Sequence, residues 1–396
     1  MIDHRQLGRE LDLFDSDPLV GAGLPLWLPA GAAARHAVEE YIREAERRAG
    51  YRHVYSPPLG RKELYERSGH WAHFAEDMFA PVRDGGEELV LRPSLCPHHA
   101  LVYRARGRSY RDLPLRIAEL GGMYRAERSG VLGGLQRVRA IGLNDAHIFC
   151  TLDQVGAEIK GVLELMREAH AALGVQVARI RLSLKDPGAP VDADWARAEA
   201  MLRDALAGLS YVDGPGEAAF YGPKIDVQIA DPAGRESTLA TIQVDFHQPA
   251  AFDLSYVDSD GIRKRPVLIH RSVLGSMERL FGHLIEVHNG AFPAWYAPVQ
   301  LAVLPVSLAE VEAAQRFADA AGDLRVELHA EGSLGARVRD AWRVPFVAVI
   351  GPREGAAGAV SLRPRGEEPV VRPVPEALAM IRTAARTPDL GGDYPR

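Results

Sequence analysis

Apolar residues recur at helical spacing from 31 to 49, GAAARHAVEEYIREAERRA, against a charged background, which predicts an amphipathic helix. YRHVYSPPL (51–59) then reads as a strand broken by two prolines. Between Glu87 and Cys150 the pattern changes. Short β-prone runs, among them ELVLRPSL, RIAELGGMYRA and LQRVRAIGLNDAHIFC, alternate with turns rich in Gly, Ser and Arg, predicting antiparallel pairing. Helices follow at about 153–173 and 191–208. AFYGPKIDVQIA and STLATIQVDFHQ predict two further strands, and PVLIHRSVLGSMERLFGHLIEV a strand feeding a helix. Past FPAWYAPVQ (292–300), the strand-like runs LAVLPV, DLRVELH, PFVAVIG and AVSLRP alternate with helices at 308–320 and 335–342, the signature of a small α/β unit. A boundary near Pro298 results, with one unit over 1–297 and a second over 298–396. No internal repeat or long low-complexity tract interrupts either.

Composition narrows the class without naming a function. With 396 residues, 47% of them hydrophobic, the chain can bury a large core. No apolar run reaches the roughly 18 residues that span a bilayer. The start, MIDHRQLGRELDLFD, is polar and charged, unlike a secretory leader, so a cytoplasmic location is expected. Two cysteines, Cys96 and Cys150, do not make a disulfide framework and fit a reducing compartment. A net charge of −6 excludes a protein that is basic all over, so any nucleic acid would need a local patch.

Two constellations carry chemistry. In LNDAHIFC (143–150), Asp145 and His147 stand two apart and so face the same side of a strand. His147, Cys96 in LRPSLCPHH and His270 in VLIHRSV offer one thiolate and two imidazoles, a set that suits zinc with a fourth position open. Their separations are long. His98, His99, His247 and Glu278 qualify equally by type, and a buried cysteine with two histidines bonded to carbonyls is the bland alternative. The second constellation is basic. YRAERSG (124–130) would put Arg125 and Glu127 on one strand face, RVR would put Arg137 and Arg139 on the next strand, and Arg279 follows in a helix. Guanidinium groups so placed grip phosphate or carboxylate, as in a nucleotide triphosphate, although a solvated ion-paired sheet face is the alternative. No P-loop or dinucleotide glycine motif competes.

The segments DHRQLGRELDLF, SGHW, SYRDLPLRIAE, YRAERSG, DAHIFC, AFYGPKI, HRSVLGSMER and FPAWYAPVQ, in this order, resemble the threonyl-tRNA synthetases, a family of class II aminoacyl-tRNA synthetases. The resemblance covers Asp3 to Arg396. It implies an α+β catalytic domain with the class II antiparallel sheet over 1–297 and an anticodon-binding-like α/β domain over 298–396. It also implies a zinc ion on Cys96, His147 and His270 that takes the amino and hydroxyl groups of threonine, with Asp145 accepting the hydroxyl proton. ATP with Mg²⁺ is the implied co-substrate. By resemblance, Arg125 bridges carboxylate and α-phosphate, Glu127 contacts the adenine amine, Arg137 the γ-phosphate, and Arg279 stacks on adenine. Tyr221, Lys224 and Gln243 match further substrate and ATP contacts, and Pro57 matches the segment through which such enzymes form homodimers.

Departures from the family pattern cluster at the substrate. Ile141 stands where the family has a phenylalanine stacked on adenine, a loss of about 0.5 to 1.5 kcal/mol if aromatic pairs are a guide. Leu143 replaces a glutamine and Ser94 a methionine of the amino-acid pocket, and Asn144 replaces an aspartate beside Asp145. The expected activity is therefore activation of threonine, or a close β-hydroxy or β-amino acid, and transfer to tRNA. Family members carry an editing region ahead of the core, and none is expected from this chain. A paralogue that delivers the activated amino acid to a carrier protein or biosynthetic amine, and a regulator without catalysis, are the alternatives. After Ala297 the chain has 12 Arg, no Lys and 13 acidic residues, so Arg363 and Arg365 in SLRPRGE are its best RNA-contact candidates. EGSLGARVRDAWRVP, near the family's anticodon-reading region, is altered and one residue shorter.

Overall fold

The structure, a computed structural model, describes residues 3–388, and residues 389–396 of the expected second unit lie outside them. The amphipathic helix α1 spans Pro29–Arg48. It starts two residues early because proline is pre-set for the first helical turn. The strand expected over 51–59 shrinks to β1, Arg52–His53, since neither Pro57 nor Pro58 has an N–H to give a ladder. Leu59–Arg61 instead joins Glu87–Leu91 and Val82–Asp84 in a separate three-stranded sheet, so ELVLRPSL lies outside the main one. Helix α2, Cys96–Arg104, follows directly.

The main sheet then assembles from β2 (Leu115–Tyr124), β3 (Ala140–Cys150), β4 (Val177–Leu184), β5 (Val212–Pro215), β6 (Lys224–Ala230), β7 (Glu236–Asp245) and β8 (Val267–Ser272). Helix α3 (Val155–Leu173) precedes β4, α4 (Ala193–Ala205) lies between β4 and β5, and α5 (Met277–Val287) follows β8. Strand order is β5-β4-β6-β7-β8-β3-β2-β1. Pairing is antiparallel throughout except at the two edges, β5 with β4 and β1 with β2.

The period-two rule sorts every central strand. Ala146, Ile148 and Cys150 of β3 join Ile225, Ile242 and Ile269 in a core roofed by Val38 and Ile42 of α1, Ile159 and Val162 of α3, and Leu202 of α4. The other face of the same strands carries Asp145, His147, Lys224, Gln243 and His270. Leaving polar groups there is tolerable only because that face borders a cavity instead of a second apolar layer.

One sequence expectation fails here. Arg125, Glu127, Arg137 and Arg139 are not on strands, because β2 ends at Tyr124 and β3 begins at Ala140. The run SGVLGG between them is too glycine-rich to hold a ladder, and Gly134 takes φ +53°. The loop nevertheless closes on itself, with Arg125 N–H donating to Arg139 O at 2.9 Å and Arg139 Nη2 to Glu127 O at 2.8 Å.

From Leu301 a second sheet forms from β9 (Leu301–Pro305), β10 (Val326–Leu328), β11 (Phe346–Ile350), β12 (Ala359–Pro364) and β13 (Val370–Pro373), in the order β10-β9-β11-β12-β13. Helices α6 (Val311–Ala320) and α7 (Val374–Ala385) cover it, and Phe317, Leu362 and Ile381 belong to a core of its own. Arg325 ties it to the first sheet's unit by donating to the carbonyls of Trp295 and Ala297, both at 2.8 Å.

Candidate active site

A cavity of about 500 Å³ opens on the polar face of the main sheet. Strand alternation builds its floor. Ile141, Leu143 and Asp145 of β3 line it at every second position, and His147 continues the row beneath the surface. Antiparallel register then carries the row sideways, with His147 paired to His270, His270 to Gln243, and Gln243 to Lys224. Residues more than a hundred positions apart thus stand shoulder to shoulder.

Cys96, His147 and His270 are all buried, and one donor atom from each lies within 4.8 Å of the others. Cys96 arrives from the first turn of α2, and Ser94 Oγ stands 3.2 Å from its sulfur. His70 Nε2 stands 3.6 Å away on another side. Burial pushes the Cys96 thiol well above its ordinary value, so a thiolate there needs a cation beside it. His270 Nε2 lies 2.7 Å from an Asp245 carboxylate oxygen, to which it donates, so His270 Nδ1 is left with a lone pair. That atom faces His147 Nε2 at 3.0 Å. A sulfur and two ring nitrogens around one buried point are a donor set that fits zinc.

Asp145 borders the cluster. Its carboxylate makes no hydrogen bond to the described residues, and burial pushes its carboxyl up to about 6. Tyr221 stacks on His270 with ring centroids 4.9 Å apart and gives its hydroxyl proton to Gln243 Oε1. Lys224 Nζ sits 3.1 Å from Asp226.

The opposite end is cationic. Arg125, Arg137 and Arg279 all line the cavity. Arg137 pairs with Glu127 at 2.8 Å, whereas among the described residues neither Arg125 nor Arg279 has a carboxylate partner. Arg279 is held by carbonyls instead, Nη1 donating to Thr238 O at 2.9 Å. Burial, then the like charges of Arg125 and Arg137, push its guanidinium below its ordinary value. Three guanidinium groups converging with one carboxylate among them form a site for an anion of high charge.

The cavity therefore gathers Ser94, Ile141, Leu143, Gln243 and the other residues read from the sequence, with Cys96 and His147 just behind its wall. Arg139 and Asn144 are exceptions: the Arg139 guanidinium is taken up by the carbonyls of Glu127 and Ala22, outside the cavity lining. Strand alternation turns Asn144 to the helical face, where its amide donates to Glu46 at 2.7 Å and accepts from Val273 and Leu274 N–H, both at 3.2 Å. Asn144 is a clamp on the β8–α5 turn and no part of the pocket wall. Sequence reasoning missed Met123, Gln136, Thr238, Thr241 and Ser276. Met123, opposite Ile141 on β2, was legible from strand alternation once the β2–β3 register was known, while the others had no local signal.

Residues 77–288 match a family described as the tRNA synthetase class II core domain of the glycine, histidine, proline, serine and threonine types. A threonine--tRNA ligase from Oceanobacillus iheyensis is 48% identical over 385 residues, covering 92% of this chain and 59% of that protein. The chain thus spans about 59% of the length of this curated relative. Among solved structures, the RNA binding domain of threonyl-tRNA synthetase from Cryptosporidium parvum superposes with a TM-score of 0.93 at 32% identity, covering 98% of this chain and 99% of that one. A putative threonyl-tRNA synthetase from Aeropyrum pernix gives a TM-score of 0.85 at 27% identity, with 98% of each chain covered. A class II core over more than half of the sequence and a near end-to-end structural relative at that identity place this chain in the threonyl-tRNA synthetase family of class II aminoacyl-tRNA synthetases.

Proposed function

We propose that this chain activates threonine, or a close β-hydroxy or β-amino acid, with ATP to give an aminoacyl adenylate, and transfers the aminoacyl group to tRNA. The observation that carries the reading is one cavity with a soft-metal donor cluster and a free carboxylate at one end and converging guanidinium groups at the other. Such a site fits a small amino acid bearing a hydroxyl beside a nucleotide triphosphate. The names of the relatives support the same substrates.

Cys96, His147 and His270 would hold zinc. When bound, the ion supplies a Lewis-acid contact to the amino group and side-chain hydroxyl of the substrate. Asp145, free of other partners, accepts the hydroxyl proton's hydrogen bond. Adenylate formation, in which the amino-acid carboxylate attacks the α-phosphate and pyrophosphate leaves, needs positioning and charge neutralisation more than a side-chain nucleophile. Arg125, which lines the cavity without a carboxylate partner among the described residues, suits the carboxylate and α-phosphate together. Arg137 and Arg279 suit the remaining phosphates and the base, with Mg²⁺ accompanying the ATP. Glu127, whose carboxylate faces Arg137, suits the adenine amine, and Ile141 with Met123 gives the base an apolar bed.

Valine lacks the hydroxyl and would leave both the metal and Asp145 unsatisfied, whereas serine keeps it and is refused only weakly. The second sheet would serve as the anticodon-binding-like unit. Arg363 is exposed there, but Arg365 is partly buried and donates to Arg343 O at 2.7 Å, so of the two only Arg363 is free for RNA. A cytoplasmic homodimer formed around Pro57 completes the reading, and the neighbouring Tyr55, 83% exposed, supports a partner surface there. The test is amino-acid-dependent pyrophosphate exchange across the twenty amino acids, with tRNA charging alongside. Exchange with threonine, weaker exchange with serine and none with valine is expected. No exchange with any amino acid would overturn the proposal, and exchange without charging would move the acceptor away from tRNA.

A further inference from the structure

The facing imidazoles of the metal cluster owe their arrangement to side chains farther from the cavity. His99, on α2 three residues after Cys96, is fully buried. Its Nδ1 lies 2.8 Å from His147 Nδ1, and its Nε2 lies 3.1 Å from Glu119 Oε2. The two rings meet edge-on, 89° apart in plane. Glu119 is itself immobilised, because Ser56 Oγ donates to Oε2 at 2.6 Å and Arg92 Nη2 to Oε1 at 3.1 Å. Arg92 is anchored in turn, its Nη1 donating to Ser56 Oγ at 2.6 Å and to Ser56 O at 3.1 Å. Burial works against charge on Glu119, but His99, Ser56 and Arg92 outweigh it and hold the carboxyl down to about 2.

Donor and acceptor logic then runs in one direction. An ionised carboxylate only accepts, so when the His99 ring carries a single proton, that proton sits on Nε2. Its Nδ1 is left as an acceptor, and the nearest donor is His147 Nδ1–H. With that proton committed, His147 Nε2 is a bare lone pair, aimed at the point that His270 Nδ1 also faces. Asp245 does for His270 what Glu119 does for His147 through one additional ring.

We propose that His99 and Glu119 are positioning residues that lock His147 in its Nδ1–H form, so that its Nε2 lone pair and that of His270 Nδ1 present a preformed metal site. The inference rests on the metal reading given above and adds residues that do not touch metal or substrate.

The test uses the full chain and zinc alone, measured by competition with a chromophoric chelator. His99→Leu is expected to weaken zinc binding by about 10–100-fold, the usual cost of losing an outer hydrogen bond to a ligating histidine. His99→Gln is expected to recover most of that loss, because its amide oxygen accepts from His147 while its amide N–H donates to Glu119. Circular dichroism and melting of the metal-free proteins check that the fold is retained. Nitrogen-15 NMR of the imidazoles in the zinc-bound wild type is expected to find the His147 proton on Nδ1. Unchanged zinc affinity in a folded His99→Leu variant, or a His147 proton on Nε2, overturns the proposal. Should His99→Leu fail to fold, the NMR assignment and the His99→Gln affinity decide alone. Wild-type protein that binds no zinc would sink the metal reading itself, an outcome distinct from zinc binding that ignores His99.

Discussion

Arg279 sits where two other guanidinium groups already raise the potential, so its charge is costly until an anion arrives. Arg279→Ala is therefore expected to cut pyrophosphate exchange by about 100-fold or more and to raise KM for ATP, on the scale of losing one charge-stabilising donor. Its effect on melting should be neutral or favourable, because like-charge repulsion is relieved. A large fall in melting temperature with unchanged exchange would instead mark Arg279 as structural. Residue types at this scale were largely legible in the sequence. Cys96, His147 and His270 are of metal-donor type, though no more so than His98, His99 or His247, and Arg125, Arg137 and Arg279 are of anion-binding type. Which of many histidines would meet was not legible, since His99 and His147 differ in role only through what stands behind each.

Helix α1 and strand β8 meet through a buried ion pair, Arg271 Nη1 with Glu46 Oε1 at 2.8 Å, with the Arg271 guanidinium over the Tyr51 ring at 4.2 Å. His53 Nε2 and Asn144 Nδ2 also reach Glu46, each at 2.7 Å. Burial opposes the charge on Glu46, yet Arg271, His53 and Asn144 prevail and hold its carboxyl below the ordinary value of 4.5. A depressed carboxylate contributes stability that is complete above its unfolded pKa and is lost as pH falls through the folded one. Melting temperature should thus decline on acidification below about pH 4.5, and Glu46→Gln should blunt that decline. The same variant leaves Arg271 buried without its partner and is expected to cost about 3–5 kcal/mol at neutral pH. Thermal melts of both proteins between neutral and acidic pH check both parts. The β8–α5 turn offers a second element-scale prediction. Gly275 adopts φ +65°, and a Cβ there would meet Leu239 O at 2.2 Å. Gly275→Ala should cost at least about 1 kcal/mol from the left-handed backbone alone. It should also shift Arg279, one turn along from Ser276, so exchange falls more than melting suggests.

At the scale of the molecule, the two sheets keep separate cores and communicate through a few guanidinium-to-carbonyl bonds such as those of Arg325. Chemistry on the first sheet should therefore be insensitive to surface changes on the second. Arg363→Ala is expected to raise KM for tRNA in charging several-fold while leaving pyrophosphate exchange unchanged. Loss of exchange in that variant would show that the sheets are coupled. Arg365→Ala should instead lower the melting temperature, because its guanidinium serves the Arg343 carbonyl.

The central strands from Leu115 onward, the helices of 29–48 and 155–173, the alternation that puts Asp145 and His147 on one face, and the family resemblance were legible in the sequence, whereas the helices at Cys96–Arg104 and Val374–Ala385 were not. The legible features are local properties, set by side-chain type and by periods of two and 3.6 residues. Only the folded chain shows that Glu119, through His99, and Asp245 stand behind His147 and His270, and that Asn144 reaches Glu46 and the β8–α5 turn. Each depends on the register between strands far apart in the chain. Register is fixed by the summed packing of both sheet faces, which no single segment encodes.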